Sequence, residues 1–389
     1  MSTPDVLILG AGAVGLAGAR ELARRGARVE VLERRRPFAE ASGATAGMIA
    51  PLAEAAPGDD DAFFTVRRRA RDLWRQWAPQ LEAETGCDLD FDPAGTLVVD
   101  DQLSIAHVEA LAERAARVGE GWSWLSRAEA TDRIPDLAPS VARALWLPGE
   151  LRVDPRRLEN ALLAAVEAAG VRMSLGIAAT RIEDEGAGVR VHRADGSTRS
   201  AGSIVVAAGG WSGRINGLPP LPLRLVRGQM LEIDGVAWPF DGSLRGTDFY
   251  AVRRPPAGLA IGATVEDTSF QAARAEDHTG RRTARRGVTP AGLRSLGAWI
   301  EAVLPSLAAR PVRATWSGLR PATPDHRPLL GHLSSERIVI AAGHHRNGIL
   351  LAPWTAEQIA DRVVGSTTDP DEERALDLFA PSRFDTLSP

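Results

Sequence analysis

A chain of 389 residues, 44% hydrophobic and 25% charged, can bury more than one core, so two domains are the first expectation. Its net charge of -4 gives no electrostatic reason to expect nucleic acid or a membrane surface as a partner. All 46 Lys-plus-Arg positions are arginine, which excludes mechanisms that need a Schiff-base or general-base lysine, and the single cysteine, Cys87, excludes an internal disulfide and a thiolate zinc site.

The N-terminal residues Met1-Ser2-Thr3-Pro4-Asp5 carry no basic region, and no stretch approaches the roughly 20 apolar residues of a membrane span, so a cytoplasmic protein is expected. Val6-Leu7-Ile8-Leu9 reads as a strand buried on both faces. It runs into Gly10-Ala11-Gly12-Ala13-Val14-Gly15. A helix follows, with Leu16, Ala19, Leu22 and Ala23 at helical spacing and Gly26 as its stop, then a strand Val29-Glu30-Val31-Leu32 ending in Glu33. This is a G-x-G-x-x-G fingerprint in its strand-turn-helix context. Gly10 permits the tight turn, Gly12 a close approach of backbone to a pyrophosphate, and Gly15 close helix-strand packing; Glu33 stands where a ribose diol would be bound. The motif alone does not separate NAD from FAD.

Three later segments favour a flavin. Residues 41–51, Ala41-Ser42-Gly43-Ala44-Thr45-Ala46-Gly47-Met48-Ile49-Ala50-Pro51, are small enough to crowd against a flat ligand. Ser203-Ile204-Val205-Val206 is a second buried strand, leading to Ala207-Ala208-Gly209-Gly210-Trp211. Arg337-Ile338-Val339-Ile340-Ala341-Ala342-Gly343 is a third, leading through His344-His345-Arg346-Asn347-Gly348 into an apolar helix expected from Ile349 to Val364. The positive end of that helix suits the pyrimidine edge of a flavin.

Between these lie further elements. Pro57-Gly58-Asp59-Asp60-Asp61 breaks the chain before a helix with Val66, Ala70, Leu73, Trp74 and Trp77 on one face, ended or kinked near Pro79. Asp154 caps a helix with Pro155 at its first position, and Asp195-Gly196 marks a hairpin. Arg34-Arg35-Arg36 and Arg67-Arg68-Arg69 read as solvated faces, residues 271–286 as a polar surface loop, and residues 366–389 as a loosely held tail.

Three segments carry a resemblance: Gly47-Met48-Ile49-Ala50-Pro51, Trp316-Ser317-Gly318-Leu319-Arg320-Pro321, and Gly343-His344-His345-Arg346-Asn347-Gly348-Ile349-Leu350-Leu351-Ala352-Pro353. They resemble the signature segments of glycine oxidases in the D-amino-acid oxidase family, and residues 259–267 fit the same pattern. The resemblance runs from near residue 5 to near residue 364. It implies an α/β fold in which a Rossmann-like FAD domain (1–50, 150–215 and 315–365) interleaves with a substrate domain (51–149 and 216–314) on a mixed, largely antiparallel sheet.

The resemblance also implies non-covalent FAD; no histidine precedes His107, and Cys87 is remote from the flavin motifs. The residues expected at the cofactor are Gly10, Gly12, Ala13, Val14, Gly15, Glu33, Arg34, Ser42, Thr45, Ala46, Gly47, Met48, Ala179, Ala208, Gly209, Trp211, Arg320, His344, His345, Arg346, Asn347, Gly348 and Ile349. At the substrate, Arg320 is the leading carboxylate ligand, with Arg346 second, because a guanidinium offers two parallel N–H donors as well as charge. Tyr250, the only tyrosine, matches the substrate-binding tyrosine of the family in an apparent strand 247–253. Asp248 shares its face if that strand is regular and would receive the amine; Met48 lines the pocket. His345 stands where the family usually has an aromatic residue, which leaves the substrate open. No metal site is expected.

The implied reaction is hydride transfer from a neutral amine to flavin N5, imine hydrolysis, and reoxidation by dioxygen to hydrogen peroxide. The substrate would be a small amine or amino acid such as glycine, sarcosine or a D-amino acid, and the enzyme a homo-oligomer. A specialised natural-product amine, or an electron acceptor other than dioxygen, is the alternative.

Overall fold

The computed structural model describes residues 3–55, 60–99, 105–270, 287–365 and 376–384. Two large sheets organise them. The first has six strands in the order Leu329–His332, Ile338–Ala342, Ser203–Val206, Val6–Leu9, Val29–Glu33, Arg172–Leu175. All its pairings are parallel except that of the edge strand Leu329–His332. Alternation sorts the side chains of the central strand. Val6 and Ile8 pack on the helical side with helices Ala13–Arg24, Pro155–Ala168 and Ala352–Val364. Leu7 and Leu9 pack on the other, against a three-stranded sheet, Ala179–Asp184, Val189–Arg193 and Thr198–Ala201. Asp195-Gly196 joins the last two of those strands as an antiparallel hairpin. Asp154 accepts from the amides of Arg156 and Arg157, capping the helix that Pro155 opens.

The second sheet has nine strands and is largely antiparallel; Thr96–Val99 with Ser243–Arg245 is its parallel pairing. Its longest pairing is Arg224–Asp234 against Val312–Ala322, which sets Val226 opposite Arg320. Leu97 and Val99 face a core with Leu296, Trp299 and Ile300 of the helix Pro290–Val303, whereas Val98 faces Val108 and Leu111 of the helix Ile105–Arg117. The strand Val312–Ala322 belongs to this sheet through that pairing.

Several local expectations change. The helix after Asp60 spans Asp61–Thr85, running through Pro79 until Gly86 turns left-handed at φ 69. The helix expected from Ile349 is Ala352–Val364, starting three residues later. Pro353 has no amide to give the carbonyl of Ile349; the indole N–H of Trp74 is donated to the Ile349 and Leu350 carbonyls instead, at 3.1 and 3.0 Å. Arg67 is no solvated residue: it is 3% exposed, with its guanidinium over the rings of Phe63 and Phe64. Arg34 is likewise half-covered, above Trp211. The C-terminal segment 376–384 is docked. Phe379 is fully buried against Phe63 and Trp354, and its carbonyl accepts from Leu330, burial worth roughly 2–3 kcal/mol. The expected loop 271–286 and the rest of the expected tail lie outside the described residues. No described helix is long and apolar enough to cross a membrane.

Candidate active site

A cleft of about 430 Å³ opens at the carboxyl ends of the strands Val6–Leu9, Val29–Glu33 and Ser203–Val206. The turn at its head is closely packed. Gly10 has φ 111, and a Cβ on Gly15 would lie 2.0 Å from the Gly10 carbonyl oxygen, so the helix Ala13–Arg24 sits directly on the turn. The Glu33 carboxylate accepts from the amides of Ala11 (2.9 Å) and Arg35 (2.8 Å), and Ser42 Oγ accepts from the Ala13 amide at 3.0 Å. The helix carries no acidic residue in its first turn and no side-chain cap from Gly12, so its positive end is left to the cleft. Arg34 lies 4.0 Å from the Trp211 ring centroid and pairs with Glu40 at the rim.

At the other end of the cleft, arginines converge. Arg320 leaves its strand with the guanidinium lying over Gly228 of the facing strand, where a Cβ would come within 2.4 Å of it. Its Nη1 donates to the Thr264 carbonyl at 3.0 Å. Burial, with Arg346 nearby, pulls the Arg320 guanidinium below its usual pKa, while Tyr250 and Glu54 oppose that shift. Tyr250 stands beside Arg320 with its hydroxyl 3.8 Å from Met230 Sδ. Burial raises its pKa, so the phenol is held neutral and able to donate.

Behind them lies Glu54, 3.3 Å from Arg245 Nε and 3.7 Å from Arg346 Nη1. Burial alone would push its carboxyl up. Arg245, Arg346, Arg320 and Arg67 together hold it below the usual carboxylate range. The turn that carries Glu54 is pinned by the Leu52 amide, which donates to Glu150 Oε1 at 3.0 Å. Glu150 is fully buried; that burial, opposed by the Leu52 amide and Arg71, raises its pKa to about 8.

The adjacent histidines diverge. His344 turns inward to Thr355 Oγ1 at 3.1 Å, and burial lowers its pKa to about 4. His345, with φ 50, faces exposed His326, the two Nδ1 atoms 3.2 Å apart. Burial and then the charge of Arg346 and Arg320 push it down to about 2, so it is a neutral wall of the cleft. No group of three or more metal-ligating side chains occurs among the described residues.

Residues 5–362 match the family model described as FAD dependent oxidoreductase. This chain belongs to that family. Its relatives include a bifunctional ThiO/ThiG protein of Trichormus variabilis, 35% identical over 98% of this chain and 55% of the relative. The chain thus spans about half the length of the ThiO/ThiG proteins it matches. Glycine oxidase of Geobacillus kaustophilus is 30% identical over 92% of each chain. A crystal structure of glycine oxidase from that organism superposes with a TM-score of 0.86 over 98% of this chain and 99% of the other, at 28% identity. Iminodiacetate oxidase from Chelativorans sp. BNC1 gives 0.81 over 97% and 98%, at 25% identity.

The protein is therefore an FAD-dependent oxidoreductase on an α/β fold, and the cleft fits that cofactor. The N-terminus of the helix Ala13–Arg24, with no acidic residue in its first turn, lines the cleft where it would hold a pyrophosphate, and Glu33 ends the second strand. Of the residues expected at the cofactor, the cleft wall contains Gly10, Gly12, Ala13, Val14, Glu33, Arg34, Ser42, Thr45, Ala179, Ala208, Gly209, Trp211, Arg320, His344, His345, Arg346, Gly348 and Ile349.

The others lie outside that wall. Gly15 packs helix on turn; Asn347 is buried, its carbonyl accepting from Leu351. Ala46 packs with Met230 and Trp316, and half-buried Met48 lies against the same cluster. Gly47 has φ 86, and a Cβ there would lie 1.9 Å from the Val153 carbonyl oxygen, so the chain itself demands a glycine.

Asp248 is corrected as well. The strand starts at Tyr250, and residues 247–249 form a turn closed by the Gly246 amide on the Phe249 carbonyl. That leaves Asp248 exposed and off the face of Tyr250. Sequence reasoning missed Glu54, Arg245, Gly228 and Thr264 at the arginine end and Phe38, Thr180 and Arg214 along the wall. A glycine inside a strand was the available signal for Gly228.

Proposed function

We propose that the protein catalyses oxidative deamination of a small amino acid or amine of the glycine, sarcosine or D-amino-acid type, with dioxygen as acceptor and hydrogen peroxide as product. The observation that carries this is the half-buried Arg320 guanidinium on the cleft wall, beside the neutral Tyr250 phenol. A guanidinium drawn partly out of water is costly, and a substrate carboxylate would compensate it with two charge-assisted hydrogen bonds. Tyr250 would turn its hydroxyl from the Met230 sulfur to the same carboxylate.

The Gly10–Gly15 turn and the wall residues named above would hold FAD without a covalent bond, and the bound flavin would supply hydride acceptance and electron transfer to dioxygen. The protein orients the α carbon and shields it from water. Met48 and His345 bound the substrate region, and the neutral imidazole of His345 adds no charge there. No side chain needs to remove a proton if the amine arrives neutral, so the rate should rise with pH toward the amine pKa. In this view the six-stranded sheet with its helices forms the cofactor domain and the nine-stranded sheet the substrate domain.

The test is oxygen uptake with peroxide measured in parallel, across glycine, sarcosine, D- and L-amino acids and simple amines. Carboxylated amines consumed with one peroxide per oxygen support the proposal. Turnover only of amines that lack a carboxylate would overturn the role of Arg320. Substrate oxidation that needs a dye or quinone would replace dioxygen as acceptor.

A further inference from the structure

We propose that Glu54 sets how many negative charges the pocket admits, confining the substrate to a single carboxylate. This rests on the amino-acid oxidase function proposed above.

Arg245, Arg320 and Arg346 converge on one region, and Glu54 is the carboxylate set among them. The three cations are not equivalent. Arg245 is tied to the chain, Nε to the Ala53 carbonyl at 3.4 Å and Nη1 to the Phe249 carbonyl at 3.2 Å, and is 5% exposed. Arg320 is fixed between Gly228 and Thr264 and is the cation offered to the first carboxylate. Arg346 is the most exposed member. It lines the cleft, a third of its side chain is exposed, and it stands 3.7 Å from Glu54. That distance is too long for a direct hydrogen bond, so charge alone holds the pair.

A second substrate carboxylate would look for Arg346 and would meet Glu54 already countering it. Two carboxylates sharing one guanidinium repel strongly where water is excluded, and a built-in like charge is an efficient means of rejecting a wrong ligand. Glu54 cannot escape by taking a proton, because the arginines around it favour its charged form. Its turn is anchored from behind by the Leu52–Glu150 hydrogen bond, so it cannot easily swing away either.

Sarcosine and iminodiacetate test this, since they share a secondary amine and differ by one carboxylate. With FAD-loaded enzyme, E54Q should raise the kcat/KM ratio of iminodiacetate to sarcosine by about tenfold or more, while E54D keeps it within about twofold of wild type. An unchanged ratio in E54Q overturns the inference.

Wild type supplies a second test that needs no variant to fold. Methoxyacetate and diglycolate are the non-oxidisable ether counterparts, and methoxyacetate should compete with sarcosine at least about tenfold more tightly. Equal or tighter competition by diglycolate overturns the inference while leaving the oxidase function intact. Failure of wild type to oxidise any amine would instead remove that function, and this inference with it.

Discussion

At one end of the cleft the chain offers backbone, and at the other it offers side chains. The head of the cleft is a single local segment in which Gly10, Gly12 and Gly15 shape a turn, with Glu33 closing it from the next strand. The arginine end is gathered from separate places: Glu54 from a turn, Arg245 and Tyr250 from neighbouring strands, Arg320 from the long strand pair, and Arg346 from the loop before the last helix. A site made of backbone tolerates no added atom, whereas a site made of charged side chains tolerates shape changes but not charge changes. The two ends should therefore fail differently under mutation.

The largest effect is expected at the backbone end. Gly15→Val places carbon against the Gly10 carbonyl, which a Cβ already approaches to 2.0 Å. Purified protein should contain no bound flavin, read from the ratio of visible to 280 nm absorbance, and little should be soluble. Ordinary flavin content in this variant would break the contrast. At the side-chain end, Arg320→Ala should keep flavin and fold but lose roughly 10²–10³-fold in kcat/KM, the cost of leaving a carboxylate without its buried partner. Lysine at that position should recover only part, because it lacks the planar fork.

Glu150 sharpens the comparison through pH. Its folded pKa of about 8 lies above the usual 4.5, so below about 4.5 it is protonated in both states and has no effect. As pH rises toward 8 the unfolded chain ionises first, and stability falls through that window. Glu150→Gln should remove this loss, gaining up to roughly 5 kcal/mol over wild type above pH 8 and almost nothing at pH 4, by urea unfolding at several pH values. A constant difference at every pH would contradict the assignment. The smallest effect is expected for Trp74→Phe, which keeps the ring but leaves the Ile349 and Leu350 carbonyls without the indole N–H. Roughly 1–3 kcal/mol should be lost in thermal unfolding, with turnover little changed.

The same contrast explains what the sequence makes legible. Strand, turn, helix and acidic terminus all fall within the first 33 residues, so periodicity and glycine spacing give that end of the cleft directly. Arg320, Tyr250 and Arg346 are found through the resemblance, since nothing in their local patterns separates them from the other arginines or from a core tyrosine. Glu54 and Arg245 leave no signal, because their pairing joins a turn to a strand far away in the chain and depends on three-dimensional packing alone. Asp248 escapes the alternation read from residues 247–253 because the strand begins only at Tyr250, after a turn. The apparent weakness of the C-terminal segment came from its polar composition, which hid Leu376 and Phe379, two apolar residues at a spacing that buries both.

The most direct test of the central claim is anaerobic titration of the FAD-loaded protein with glycine and with sarcosine, in wild type and Arg320→Ala, following the flavin band near roughly 450 nm. The band should bleach in wild type at low substrate concentration and return on admitting air, and bleaching in Arg320→Ala should require far more substrate. Equal bleaching in both proteins would contradict the carboxylate clamp. No bleaching of wild type by any carboxylated amine would contradict the proposed reaction itself.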